Sequence, residues 1–124
     1  AAKGAGVRRV FWVGGASSLQ TPEGKELFST MDPAKLPAPV YGAIRGLRAV
    51  LHRLKTIGDL DWTFFSPAGE IGEGPRTGKF RLGKDDMVVG PDGKSRISRA
   101  DYAIAVIDEL ERPQHIRQRF TIGY

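Results

Sequence analysis

Cysteine is absent from the 124 residues, which excludes a disulfide framework and thiolate chemistry and fits a reducing compartment. Long apolar runs are also missing. None approaches the roughly 18 residues that a membrane span needs, and the first residues show no charged stretch leading into an apolar core and cleavage site. These absences predict a cytoplasmic protein without a membrane partner. Histidine occurs only twice, and neither His52 nor His115 has acidic or histidine neighbours at metal-ligand spacing. Both read as surface residues, and no metal is expected.

Basic runs are missing too, although the net charge is +5 and the pI about 9.8. The arginines and lysines are scattered, never five together, and aromatics are not interleaved with them, so a nucleic-acid partner is not expected. What is present, 40% hydrophobic and 27% charged residues, is enough for residues 1–124 to be one globular domain or part of one.

The glycine fingerprint of a dinucleotide site is a further absence. Gly4-x-Gly6 precedes the first predicted strand instead of joining a strand to a helix, and Arg9 stands at its third glycine position. Residues 1–6, with a lysine and two glycines, suit the last turn of a helix. Residues 10–13 then form a short run that is apolar on both faces, as expected of an interior parallel strand. The sequence Gly14-Gly15-Ala16-Ser17-Ser18 turns the chain at its carboxyl end. Residues 19–39 carry three proline breaks, which exclude a long helix and predict a loop laid over a site.

Val40, Ile44, Leu47, Leu51 and Leu54 recur at helical spacing and predict an amphipathic helix over residues 40–57. A second strand over residues 61–65 ends at Ser66-Pro67-Ala68-Gly69, and the helical crossover makes the two strands parallel neighbours or near neighbours. Residues 70–94 read as an excursion with extended pieces at 79–82 and 87–89 and a turn at 91–93. Ser98 is a predicted N-cap with Asp101 reaching back, and Ala103, Val106, Ile107 and Leu110 form the expected buried stripe of a helix ended before Pro113. Residues 118–122 supply a last strand.

Ligands of open α/β sheets bind outside the carboxyl ends of the strands. That rule singles out Gly14, Gly15, Ala16, Ser17 and Ser18 after the first strand, and Ser66, Pro67 and Ala68 after the second. Glycines there let a ligand approach the backbone, and Pro67 holds backbone groups in a set direction toward a planar amide or sugar. A plain turn is the competing reading. Tyr41 and Arg45 lie four apart and share a helix face, where a phenol and a cation can address one ligand; the competing reading is that Tyr41 staples the helix to the core. Glu70, Glu73, Asp85 and Asp86 have no spacing that assigns them a role.

Together Ala5-Gly6-Val7-Arg8-Arg9, Val13-Gly14-Gly15-Ala16-Ser17-Ser18-Leu19, the segment from Leu60 through Asp61-Trp62-Thr63-Phe64-Phe65 to Ala68, and Lys94-Ser95-Arg96-Ile97-Ser98-Arg99-Ala100-Asp101-Tyr102-Ala103 carry a resemblance. The chain resembles the C-terminal half of an NAD(P)H-binding, atypical short-chain dehydrogenase/reductase of the NAD-dependent epimerase or NmrA-like kind. The implied fold class is α/β, the C-terminal half of a Rossmann-like doubly wound parallel sheet without its N-terminal fingerprint half. The resemblance implies NAD or NADP as cofactor if the missing half is supplied. It sets Gly14, Gly15, Ala16 and Ser17 beside the nicotinamide ribose, Ser17 or Ser18 near the active-site serine, and Ser66, Pro67 and Ala68 facing the nicotinamide. Tyr41 takes the place of the tyrosine of a Tyr-x-x-x-Lys pair, with Arg45 where the lysine stands. The implied function is the substrate-facing side of a reductase or epimerase-like site, inactive alone. A homo-oligomer or an upstream half of the same protein would complete it. The alternatives are a non-catalytic NmrA-like redox-sensing module and a stand-alone oligomeric small-molecule-binding protein.

Overall fold

The computed structural model describes residues 9–124. The reading of residues 1–6 as a helix end lies outside the described residues. A four-stranded sheet runs in the order β1 (Arg9–Val13), β2 (Asp61–Ser66), β6 (Gln118–Gly123) and β4 (Arg81–Gly83). The first three strands are parallel and β4 is antiparallel to β6. β3 (Glu70–Gly72) and β5 (Arg96–Ser98) pair in parallel as a separate two-stranded sheet. The predicted crossover is present: α1 (Ala38–Leu54) connects β1 to β2, which pair directly, Val13 beside Phe65.

Side chains on a strand alternate between faces, and β2 divides the core accordingly. Trp62 and Phe64 pack with Leu51 and Leu54 of α1. Phe65 packs on the other face with Phe120, Tyr102 and Ala105, the last two from α2 (Arg99–Glu111). Phe65 stacks on Phe120 at 4.0 Å and on Tyr102 at 4.3 Å, and the Tyr102 hydroxyl donates to the Phe65 carbonyl at 2.7 Å. Burial raises the Tyr102 pKa, so this phenol stays a donor.

Several expectations are corrected. β1 was expected inside the sheet, yet among the described residues it lies at an edge, with Trp12 37% and Val13 58% exposed. Apolar residues on both faces of a strand record a need for cover, not its presence. The extended piece at 87–89 joins no strand; the Met87 N–H donates to the Gln20 carbonyl at 2.9 Å instead.

On α2 the expected stripe is on the wrong face. Ala103, Ile107 and Leu110 are exposed, whereas Asp101, Tyr102, Ala105 and Glu109 are buried and Val106 is half-buried. Both carboxylates face inward because donors await them. Asp101 accepts from the N–H groups of Thr77 and Gly78 and from the hydroxyls of Thr77 and Tyr124. Glu109 accepts from the N–H groups of Gln114 and His115 and contacts His115 Nδ1 at 2.7 Å. Apolar periodicity cannot register such partners. Ser98 does cap α2, accepting from the Asp101 N–H at 3.1 Å, but the Asp101 carboxylate turns to residues 77, 78 and 124 rather than back to the cap. His115, expected at the surface, is half-buried and stacks on Phe120 at 4.1 Å.

Candidate functional site

The parallel pairing of β1 and β2 sets their following turns side by side, because the Gly14 N–H continues the ladder to the Phe65 carbonyl at 2.9 Å. Gly14 is indispensable here for packing. A Cβ on it would lie 2.1 Å from the Phe64 ring, and one on Gly15 would meet Leu47 of α1 at 3.3 Å. The space that these glycines were expected to open to a ligand is therefore occupied by the protein's own side chains.

Beyond them Ser17 and Ser18 are buried, and the Ser17 carbonyl accepts from the Phe28 N–H at 2.7 Å. The guanidinium of Arg119, on β6, organises this turn. It donates to the Ser18 hydroxyl at 2.8 Å, the Ser18 carbonyl at 3.1 Å and the Ser66 hydroxyl at 3.4 Å, and to Asp85 at 3.0 and 3.2 Å. Burial lowers its pKa, and the Asp85 hydrogen bond and charge oppose that shift. It stays cationic, as arginine does in proteins. One side chain thus ties the turn after β1 to the turn after β2.

Sequence reasoning missed Arg119, which it had counted only among scattered cations. The signal was its place inside a predicted strand between apolar neighbours: a charge that is buried there must be paired. Asp85, assigned no role, is that partner.

The 66–68 turn is held from inside. The Thr121 hydroxyl donates to the carbonyls of Ser66 at 2.8 Å and Pro67 at 3.2 Å, Ala68 is buried, and the Gly69 N–H donates to the Ser95 hydroxyl at 2.9 Å. The Pro67 carbonyl, expected to address a planar ligand, is committed to the fold.

Tyr41 enters through residues 19–39, where only short helical turns form, at Leu27–Thr30 and Pro33–Lys35. Phe28, joined through its N–H to Ser17, stacks on Tyr41 at 5.7 Å and lies under the Arg48 guanidinium at 4.8 Å. Arg48 also pairs with Glu26, whose hydrogen bond leads in raising the arginine pKa, with the Glu26 charge adding to it against burial. The cation that shares the Phe28 ring with Tyr41 is therefore Arg48. Arg45, the expected partner, is exposed.

The structure brings together Ser17, Ser18 and Ser66, with Tyr41 joined to them through Phe28, and leaves Arg45 outside. Chemically it offers hydroxyls, a phenol, one buried guanidinium and one half-buried one near the carboxyl ends of parallel strands. Among the described residues no group of three or more potential metal ligands occurs. No described helix is long and apolar enough to cross a membrane.

No protein-family model matches the chain. It is 42% identical over 115 residues to the uncharacterized protein YwnB of Bacillus subtilis, a match that takes in 92% of this chain and 54% of YwnB. A solved structure from Bacteroides thetaiotaomicron, named as a candidate epimerase, is 48% identical with a TM-score of 0.86, over 98% of this chain and 56% of that one. A candidate NADH-flavin reductase from Streptococcus pneumoniae is 35% identical with a TM-score of 0.78, over 93% and 55%. A short-chain dehydrogenase/reductase from Veillonella parvula in complex with NADP, at 20% identity and a TM-score of 0.69, shares the fold alone over 99% and 54%. The mixed sheet is thus similar to Rossmann-like epimerase and reductase folds. The chain spans about half the length of the proteins it matches.

Proposed function

We propose that this chain forms the nicotinamide- and substrate-facing side of the site in an NAD(P)-dependent reductase or epimerase-like protein. The observation that carries the reading is the adjacency of the 14–18 and 66–68 turns beyond two paired parallel strands, tied by Arg119. Its 48% identity to a candidate epimerase and 35% identity to a candidate NADH-flavin reductase support that chemistry. In this reading the nicotinamide, when bound, supplies or accepts a hydride. Gly15 and Ala16 border its ribose, with Gly14 holding the turn, and Ser66, Pro67 and Ala68 border the ring. Ser17 presents a hydroxyl to the reacting group, Ser18 is positioned by Arg119, and Tyr41 supplies a phenol with Arg45 and Arg48 along the same helix.

The described residues suit only the nicotinamide end. Without a glycine-rich strand-to-helix turn, the pyrophosphate seat belongs to residues other than these, from further polypeptide or a second copy. The exposed Trp12 and Val13 on the β1 edge are the apolar surface such a neighbour would cover.

Titration with nicotinamide riboside, which carries no phosphate, tests the reading by amide NMR. Shifts concentrated in residues 14–18 and 66–68, weakened several-fold by Ser17→Ala, are expected. Unmoved signals at those turns with millimolar ligand would overturn it.

A further inference from the structure

Among the described residues every serine, threonine and tyrosine hydroxyl has a hydrogen-bond partner in the protein except two, those of Ser17 and Tyr41. Neither oxygen is among the unpartnered atoms sealed from solvent, so both are open to a ligand. They belong to different elements, the turn after β1 and the start of α1, and the chain between forms only short helical turns. In the reading above these two hydroxyls face the reacting part of the substrate, so whatever holds them in register governs the site.

Phe28 touches both elements. Its N–H donates to the Ser17 carbonyl at 2.7 Å, the Leu27 N–H donates to the Leu19 carbonyl at 2.8 Å, and Gln20 and Glu26 form an antiparallel bridge. Residues 17–28 thus fold back on themselves, with Gly24 at a φ of 80°, a conformation that favours glycine. The fold-back is braced from outside: the Gln20 N–H donates to the Asp85 carbonyl at 2.8 Å, and the Gln20 carbonyl accepts from the Met87 N–H at 2.9 Å. The Phe28 ring then stacks on Tyr41 at 25° between planes and lies under the guanidinium of Arg48, which Glu26 holds. A ring that meets another ring and a cation has a restricted orientation. Phe28 is half-buried and belongs to neither core cluster, so its place serves this junction more than the core.

We propose that Phe28 is a positioning residue that sets the Tyr41 phenol relative to the Ser17 hydroxyl, with the Glu26–Arg48 pair as the clasp on its ring. The inference rests on the nicotinamide- and substrate-facing reading and adds what fixes the geometry of that site. Two hydroxyls held in register can donate to one oxygen of the reacting group without first losing the freedom of the loop between them. Misplacement by about 1 Å costs on the order of 100-fold in rate.

Titration with nicotinamide riboside tests this, with the Ser17 amide and the Tyr41 ring signals followed by NMR in one sample. In the unsubstituted chain both are expected to shift with the same midpoint. Phe28→Leu keeps an apolar side chain and the backbone bond to Ser17 but removes the stacked ring. The Ser17 shift is expected to persist in it and the Tyr41 shift to fall several-fold. Phe28→Tyr retains the ring and is expected to restore the Tyr41 response, and Arg48→Met, which frees the ring on one side only, to reduce it less than Phe28→Leu does. A Tyr41 response in Phe28→Leu equal to that of the unsubstituted chain overturns this inference and leaves the reading in place. So does a Tyr41 signal that stays still while the turns respond, or one that Phe28→Tyr fails to restore. Unmoved signals at residues 14–18 and 66–68 in the unsubstituted chain overturn the reading and this inference with it.

Discussion

The two faces of the sheet solve burial differently. On the α2 face the rings of Phe65, Phe120 and Tyr102 stack, and the buried carboxylates of Asp101 and Glu109 are surrounded by donors. On the α1 face Trp62 and Phe64 share the space with Arg119, and the indole Nε1 of Trp62 is left without a partner among the described residues. One face meets its buried charges with several donors each, and the other meets its buried guanidinium with hydroxyls, a carbonyl and a single carboxylate. The difference arises within single strands: Phe120 and Arg119 are neighbours in β6 and point to opposite faces.

The most severe way to break this contrast is to empty the aromatic α2 face. Phe65→Ala removes the ring between Tyr102 and Phe120 and is expected to cost about 3–5 kcal/mol in denaturant unfolding, as large-to-small changes in aromatic cores do. The corresponding change on the other face is Arg119→Met. It fills similar volume but releases Ser18 and Ser66, so a loss of about 1–3 kcal/mol is expected. Faster hydrogen exchange at residues 17–19 would accompany it. Equal exchange in the two proteins would show that Arg119 does not order the turn.

A smaller effect depends on pH. Burial pushes the Asp101 pKa up, but hydrogen bonds from Tyr124, Thr77 and Gly78 outweigh it and lower the value from 3.8 to about 2. A group depressed on folding stabilises above its unfolded pKa and loses that contribution as pH falls through its folded one. Asp101→Asn is therefore expected to be less stable than the parent above about pH 4, with the gap closing between pH 4 and 2. A gap that stays constant over that range would assign the effect to packing instead of charge.

The elements were more legible than their environments. Alternating and helical patterns placed β1, α1, β2, α2 and β6 nearly where they lie, because local geometry and periodicity carry that information. Ser98 as the cap of α2 was equally readable, since the cap bond spans three residues. The face of α2 was not. Ile107 and Leu110 read as core, yet Asp101 and Glu109 hold the inward positions, because their donors arrive from residues 77, 78, 114, 115 and 124. At the candidate site the strand-end rule found the two turns, but not that Phe64 fills the space beside Gly14 or that Arg119 joins Ser18 to Ser66. The Arg119–Ser18 bond bridges residues 101 apart in the chain. No local pattern encodes such a distance.

By itself the sequence determined which segments become strands and helices and that β1 and β2 run parallel, since pattern, turns and crossover length are properties of neighbouring residues. Only the tertiary structure decided which carboxylates are buried, which arginine shares the Phe28 ring with Tyr41 and which buried donor is left without a partner among the described residues. Those outcomes depend on desolvation, and desolvation is settled by whichever distant groups the fold brings alongside.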